Sequence, residues 1–323
     1  MKNKPTAQIR RCRAVPLLIV TGGLATAVPG LAQTAASYEG IEQGPPIGQY
    51  RFGLSTGYRT DADFDSAGGG KFSEYALRAT GAGVFQLSDQ VKLGGFGSYQ
   101  FSHYDVSDLP VAGDYSADVH MMRITTLLDY SIDENWSVYG GPSLALAGAD
   151  GADFSQAFTG GGLVGFNYKA NDKLSVGGGL GVFSQLEENA KVLPFVTANW
   201  EFADQWNLHA GFLELAGNGG LGAEVTYTIN EQWKVGGGVM YEKKRFRMKE
   251  SLPGRAGDGV GQDRNVPIFA KLSWQPIKEA TVEAIAGVVV GGQVRFEDNE
   301  GNYLYQSDYK ASAVLGLQGT YRF

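Results

Sequence analysis

A single cysteine, three histidines, a shortage of basic residues and the want of any long apolar run mark this 323-residue chain. The cysteine is Cys12, inside a basic N-terminal stretch, so the sequence after it has no thiol and folds without disulfides. Beyond that stretch no apolar segment approaches the ~20 residues that a membrane-spanning helix needs. Lysine and arginine number 27 against 34 aspartate and glutamate, a balance that argues against a nucleic-acid partner. Glycine is abundant, at 47 residues, but has no period of three, which excludes collagen. Aromatic residues at 12% beside 43% hydrophobic residues exclude a disordered tail. What remains is an all-β chain of one domain.

What is present begins with an export signal. Lys2, Lys4, Arg10, Arg11 and Arg13 form a basic head, Ala14 to Val20 an apolar run, and Gly30-Leu31-Ala32 a small-residue site suited to signal peptidase. Ala36 is a second candidate cleavage point. Cys12 precedes the apolar run, whereas a lipid-anchor cysteine follows it, so no lipoprotein is expected. The chain therefore divides into a secretory signal peptide (1–32), a short periplasmic N-terminal segment (33–47) and a barrel (48–323). Export removes five basic residues and no acids, leaving 22 against 34 and a net charge of −12.

Alternation carries the fold. In Leu221–Ile229 the odd positions Leu221, Ala223, Val225, Tyr227 and Ile229 are apolar, and Gly222, Glu224, Thr226 and Thr228 lie between them. Successive strand side chains point to opposite faces, so one face is wholly apolar and the other polar or small. Trp233–Glu242 and Ala311–Phe323 repeat the pattern, and fourteen such segments fill 48–323. Tight polar turns, such as Asn171-Asp172-Lys173 and Asn230-Glu231-Gln232, alternate with longer loops at 60–74, 104–118, 247–264 and 297–308. Short turns on one side and long loops on the other are the habit of transmembrane barrels, the short side being periplasmic. Trp136, Trp206 and Trp233 open strands after short turns, while Tyr130, Tyr168, Trp200, Tyr227 and Trp274 close them, as an interfacial aromatic belt does. Tyr58, Tyr75, Tyr99, Phe101 and Tyr241 make the opposite belt. An apolar outer face means lipid, where unpaired backbone groups cost several kcal/mol, so the sheet must close. A soluble sandwich would explain neither the belts nor the terminal aromatic. The expected fold is an all-β, closed antiparallel transmembrane β-barrel of about fourteen strands in a Gram-negative outer membrane.

The last strand ends in Leu315, Leu317, Gly319, Tyr321 and Phe323, which resembles the signal read by the barrel assembly machinery, with Tyr321 and Phe323 its key residues. Beyond that, Gly151-Ala152-Asp153-Phe154-Ser155, Thr159-Gly160-Gly161-Gly162-Leu163, the stretch Asn171 to Gly179, and Arg245-Phe246-Arg247 resemble a family of outer-membrane barrels known only as a domain of unknown function. The resemblance implies a barrel; it implies no catalytic residue and no substrate.

The inward face is where a solute would be felt. Its predicted lining includes Arg51, Arg78, Lys92, Arg123, Asp129, Lys169, Glu201, Glu224, Lys234, Glu242, Lys271, Glu283 and Arg322. Arg59, Lys244, Arg295 and Lys310 share the register, which makes the wall positive in a chain that is acidic as a whole. Rings of basic side chains favour anions, so a passive channel for small polar or anionic solutes is the leading expectation. The alternatives are a binding transporter for hydrophobic compounds, with 33–49 as a short plug, and a blocked structural or surface-contact barrel. Asp118 and His120 suggest a rim protease and Ser102-His103 a lipid hydrolase, but neither set has the partners that general-base chemistry needs, so no enzyme is expected. Asp61, Asp63, Asp65, Asp150 and Asp153 match no calcium-loop spacing, so neither metal nor cofactor is expected. Lys243, Arg245 and Arg247 continue the lipid-facing register past Tyr241, and planar guanidinium groups suit phosphate. They are the expected lipopolysaccharide contact, beside the membrane lipid itself. No oligomeric state is implied.

Overall fold

A computed structural model describes residue 48 and residues 50–323, apart from 66–68, 110–112, 216 and 253–255. The predicted signal peptide (1–32) and N-terminal segment (33–47) lie outside the described residues. The strands are β1 (Tyr50–Asp63), β2 (Lys71–Gln86), β3 (Val91–Leu109), β4 (Gly113–Ser131), β5 (Trp136–Ala149), β6 (Phe158–Asn171), β7 (Leu174–Gln185) and β8 (Glu188–Ala203). They continue with β9 (Trp206–Leu215), β10 (Asn218–Thr228), β11 (Trp233–Arg247), β12 (Val260–Ile277), β13 (Ala280–Glu297), β14 (Tyr303–Tyr309) and β15 (Ser312–Arg322). Neighbours pair antiparallel in chain order, and β1 pairs with β15 to close the ring. Both β14 and β15 pair with β13 and are consecutive segments of one strand, so the wall has fourteen strands.

The strands present an apolar face outward. On β4, Met122, Ile124 and Leu128 are 51%, 66% and 48% exposed, while Thr125 and Leu127 between them are buried. That is the reverse of a soluble core and the arrangement lipid requires. Asn and Asp side chains fold the short turns. Asp133 accepts from the amides of Asn135 and Trp136, and Asn230 from those of Gln232 and Trp233. The belt at this turn end is made of cross-strand ring pairs: Trp136 with Tyr168 at 4.5 Å, Trp206 with Tyr227 at 4.9 Å and Trp233 with Trp274 at 6.0 Å.

At the other end, the loop end, the strands run further than alternation suggested. β1 and β2 extend through about half of the expected 60–74 loop, β3 and β4 through most of 104–118, and β14 occupies half of 297–308. The cause is a second apolar surface. Phe72, Tyr104, Val106, Tyr115, Ala117, Phe246, Phe296 and Tyr309 point inward there and form one buried core. Phe72 stacks on Tyr309 at 4.9 Å and Tyr104 on Phe246 at 5.4 Å. Fully burying such side chains contributes ~1.5–3 kcal/mol each, enough to hold the strands together at the loop end.

Candidate functional site: a lumen closed by its own wall

The wall parts between β8 and β9. Their ladder runs from Ala203↔Trp206 to Ala198↔Ala210 and stops. Above that point β8 stays with β7 up to Glu188, and β9 stays with β10 up to Leu215. The separation is set at Gly211, whose φ of +143° lies outside the range side-chain-bearing residues favour. From there the β9–β10 hairpin crosses the lumen. Asn218 accepts from Gln100 Nε2 of β3 at 2.8 Å, and Glu214 pairs with Arg78 of β2 at 3.2 Å. In each case the partner strand is seven places away in a ring of fourteen, the diametrically opposite wall. The tip residue Gly217, at φ +86°, lies so near β2 that a Cβ there would be 3.1 Å from the Cβ of Ala76.

A second crossing lies beside it. β11 leaves β10 at Tyr241↔Leu221 but keeps β12 as far as Arg247↔Val260, and Arg247 bridges to Gly148 of β5. Glu250 donates its amide to Gly151 at 3.0 Å. Arg245, fully buried, donates to Glu297 at 2.7 Å, to Gln262 at 2.9 Å and to the Leu186 carbonyl at 2.6 Å, with Glu188 at 3.3 Å. Lys244 pairs with Glu74, and Arg59 joins Glu74, Asp263 and the Tyr309 hydroxyl in one buried network. Arg247 donates to the carbonyls of Asp258 at 2.8 Å and Gln156 at 2.9 Å and pairs with Glu187. Gln156 belongs to a single 3-10 turn, Phe154–Gln156, capped by Asp153. Hydrogen bonds from Ser155 and Gln156 hold the Asp153 carboxyl below its usual range.

This corrects the lipopolysaccharide expectation. Lys243, Arg245 and Arg247 are 2%, 0% and 2% exposed; Arg245 and Arg247 pair with Glu297 and Glu187 inside the protein, and Lys243 lines an internal cavity. Once β11 swings off the wall, both of its faces meet protein, and strand parity no longer points to lipid.

Beneath the crossings lies an apolar patch: Leu127 and Tyr139, Leu163 and Phe183, then Leu193 and Phe195 of β8 with Phe212 of the hairpin. Phe195 and Phe212 meet at 5.7 Å across the unpaired stretch, while Val192 and Val196 of β8 face outward. The end of the β8–β9 ladder therefore brings an apolar inner surface next to the apolar outer face of the wall.

The predicted lining residues fall at three heights. Arg51, Lys92, Asp129, Lys169, Glu201, Lys234 and Arg322 share the inward face toward the turn end, where Lys173 reaches Glu201 at 2.9 Å and Lys169 reaches Asp172 at 2.7 Å. Lys271 lies between Glu224 at 2.8 Å and Glu283 at 3.4 Å. Arg78, Arg123 and Glu242 lie against the crossings. Asp118 and His120 do not pair with each other: Asp118 holds His103 at 2.6 Å, and His120 lies between Tyr99 at 2.7 Å and Asp150 at 3.0 Å. Ser102 is buried on the face opposite His103. Tyr321 and Phe323 face outward, 4.9 Å apart. Among the described residues no three His, Cys, Asp or Glu side chains are grouped to hold a metal.

Solved structures share this architecture. A deltaS2S3 mutant of TodX, a monoaromatic hydrocarbon channel of Pseudomonas putida, aligns with a TM-score of 0.51 at 12% identity, covering 88% of this chain and 92% of that one. The COG4313 outer membrane channel of Pseudomonas putida F1 aligns at 0.46 and 15% identity, over 86% and 97%. A FadL homologue of Pseudomonas aeruginosa aligns at 0.47 and 12%, over 84% and 90%. A sequence search among curated proteins finds no match. The barrel fold is thus that of outer-membrane channels. A family model, Domain of unknown function (DUF6268), matches residues 119–318, more than half of the sequence, and the chain belongs to that family.

Proposed function

We propose that this protein is an outer-membrane channel for small hydrophobic compounds, taken up at the extracellular loop end and released sideways into the membrane between β8 and β9. The observation that carries the reading is the apolar patch of Leu163, Phe183, Leu193, Phe195 and Phe212, placed where the β8–β9 ladder ends. A wall with unpaired backbone at membrane depth is tolerated only where it lines a cavity or is covered by protein, so the break needs a use. The shared fold with a monoaromatic hydrocarbon channel agrees with this cargo class. The turn end is then periplasmic, and Tyr321 and Phe323 would be the residues presented to the barrel assembly machinery.

The passive anion channel has less support. Arg78, Lys244 and Lys271 have carboxylate partners, and packed side chains fill the loop end. The purified barrel in a planar bilayer is expected to show no steady conductance, while it binds the neutral apolar probe N-phenyl-1-naphthylamine. Phe195→Glu places a charge in the patch and should weaken that binding by about tenfold or more, since ~1.4 kcal/mol of lost apolar contact suffices. Stable, anion-selective current through the wild-type barrel would overturn the reading in favour of the passive channel.

A further inference from the structure

Arg78 has donors that the channel reading leaves unused. Arg78 is 4% exposed and lies 3.2 Å from Glu214, yet among the described residues its Nε, Nη1 and Nη2 find no hydrogen-bond acceptor. A guanidinium carries five N–H donors in a fixed plane, and burying them without acceptors is costly. These donors border a cavity of about 50 Å³ between the wall and the crossings. Arg78, Gln100 and Arg123 form its wall side, Gly219 of the hairpin its floor, and Lys243 and Lys244 of β11 the side opposite. Arg78, Arg123, Lys243 and Lys244 all line this cavity, and among the described residues no aspartate or glutamate does. Glu214 stands behind Arg78, and Glu74 stands behind Lys244 but is shared with Arg59.

Water would accept from the donors but bring no charge. An oxyanion does both, and its bonds to a guanidinium are about twice as strong as neutral ones. A water takes roughly 10–15 Å³ of such space, so the cavity holds a group of carboxylate size and not a ring. A smaller opening of about 10 Å³ also borders Arg123 and is lined by Phe183, at the edge of the apolar patch. Arg123 thus borders both the cavity beside Arg78 and the opening beside Phe183.

We propose that this cavity binds the carboxylate of a small amphiphilic acid, an apolar ring or short chain with one anionic group. The proposal rests on the hydrophobic-channel reading for the apolar body and adds the charged head. Because Arg78 also holds Glu214 of the hairpin, a ligand carboxylate competes for the guanidinium that fastens the hairpin to β2.

The test is calorimetric titration of the full detergent-purified barrel with benzoate, its neutral isostere benzamide, and inorganic phosphate, with N-phenyl-1-naphthylamine binding followed in parallel. Benzoate should bind at least ~tenfold more tightly than benzamide, and the preference should vanish in Arg78→Gln and in Arg123→Gln. Arg123→Gln leaves the Arg78–Glu214 pair in place, so it decides the matter if Arg78→Gln does not fold. Equal binding of benzoate and benzamide, or a preference that survives both substitutions, overturns the acid site. If the naphthylamine probe still binds, the channel reading stands without it. Phosphate binding as tightly as benzoate overturns the amphiphile and leaves an inorganic anion site. Benzoate preference without naphthylamine binding supports the anion site and removes the hydrophobic channel.

Discussion

Arg245→Ala is expected to destabilise the barrel by about 3 kcal/mol, measured as urea unfolding in detergent. Removing one partner of a buried ion pair typically costs ~3–5 kcal/mol, because the other charge is left uncompensated in a low-dielectric site. Here the orphan is Glu297, 1% exposed, which keeps Arg295 at 2.7 Å and so places the loss at the lower end. The Leu186 carbonyl loses its donor as well, which leaves the β7–β8 turn tied to β11 by Arg247 and Glu187. A hydrophobic pair, Arg245→Met with Glu297→Leu, should recover most of the loss, since matched apolar groups remove the stranded charge. Lys169→Ala is the comparison: its partner Asp172 is almost fully exposed, so losing that pair should change stability little. An Arg245→Ala midpoint no lower than that of Lys169→Ala would mean that the buried network does not fasten the crossing.

Most of the wall was legible because lipid imposes a simple code. The alternation at Leu221–Thr228 reappears as a ladder with β11, Val225 opposite Gly237 and Tyr227 opposite Val235. Trp136 and Tyr168, chosen as belt residues by position, face each other in register. The Glu224–Lys271–Glu283 group also follows from register alone, since β10 to β13 are sequential neighbours and these residues share one face.

The crossings were not legible, for two physical reasons. Alternation states which side of a sheet a residue occupies; it does not state that the sheet itself turns into the lumen. Residues 242–249 held a clue, because six of the eight are charged and both faces carry charge. A strand with lipid on one side cannot be charged on both, so the pattern fits a segment surrounded by protein. The second reason is distance. Arg59, Glu74, Lys244 and Asp263 form one network from four strands, and nothing local in any of them names its partners. The hairpin was hidden differently. Ala216-Gly217-Asn218-Gly219-Gly220 has the composition of an ordinary surface turn, and only its contacts with Ala76, Gln100 and Arg78 show that the hairpin ends against the far wall.

That contact permits a reversible lock. Ala76→Cys with Gly217→Cys is expected to give a disulfide that stops uptake of an apolar probe and releases it on reduction. A Cβ at 217 would lie 3.1 Å from the Cβ of Ala76, a few tenths of an ångström short of the ~3.5–4.5 Å that a disulfide spans, so a small shift of the tip accommodates the bond. Cysteine at φ +86° adds strain of order 1–2 kcal/mol, which the crosslink offsets by removing open conformations of the hairpin. The chain's sole native cysteine, Cys12, lies within the predicted signal peptide, so no other thiol competes. If compounds pass only when the hairpin leaves the lumen, oxidised liposomes should admit N-phenyl-1-naphthylamine at least ~tenfold more slowly than reduced ones. A population held closed to one part in ten corresponds to ~1.4 kcal/mol, well below what a disulfide across so long a loop supplies. Each single cysteine variant controls for the strain at 217 and the added bulk at 76. Equal uptake before and after reduction, with the disulfide verified by mass, would show that the β9–β10 hairpin stays in place during transport and that the route runs beside it.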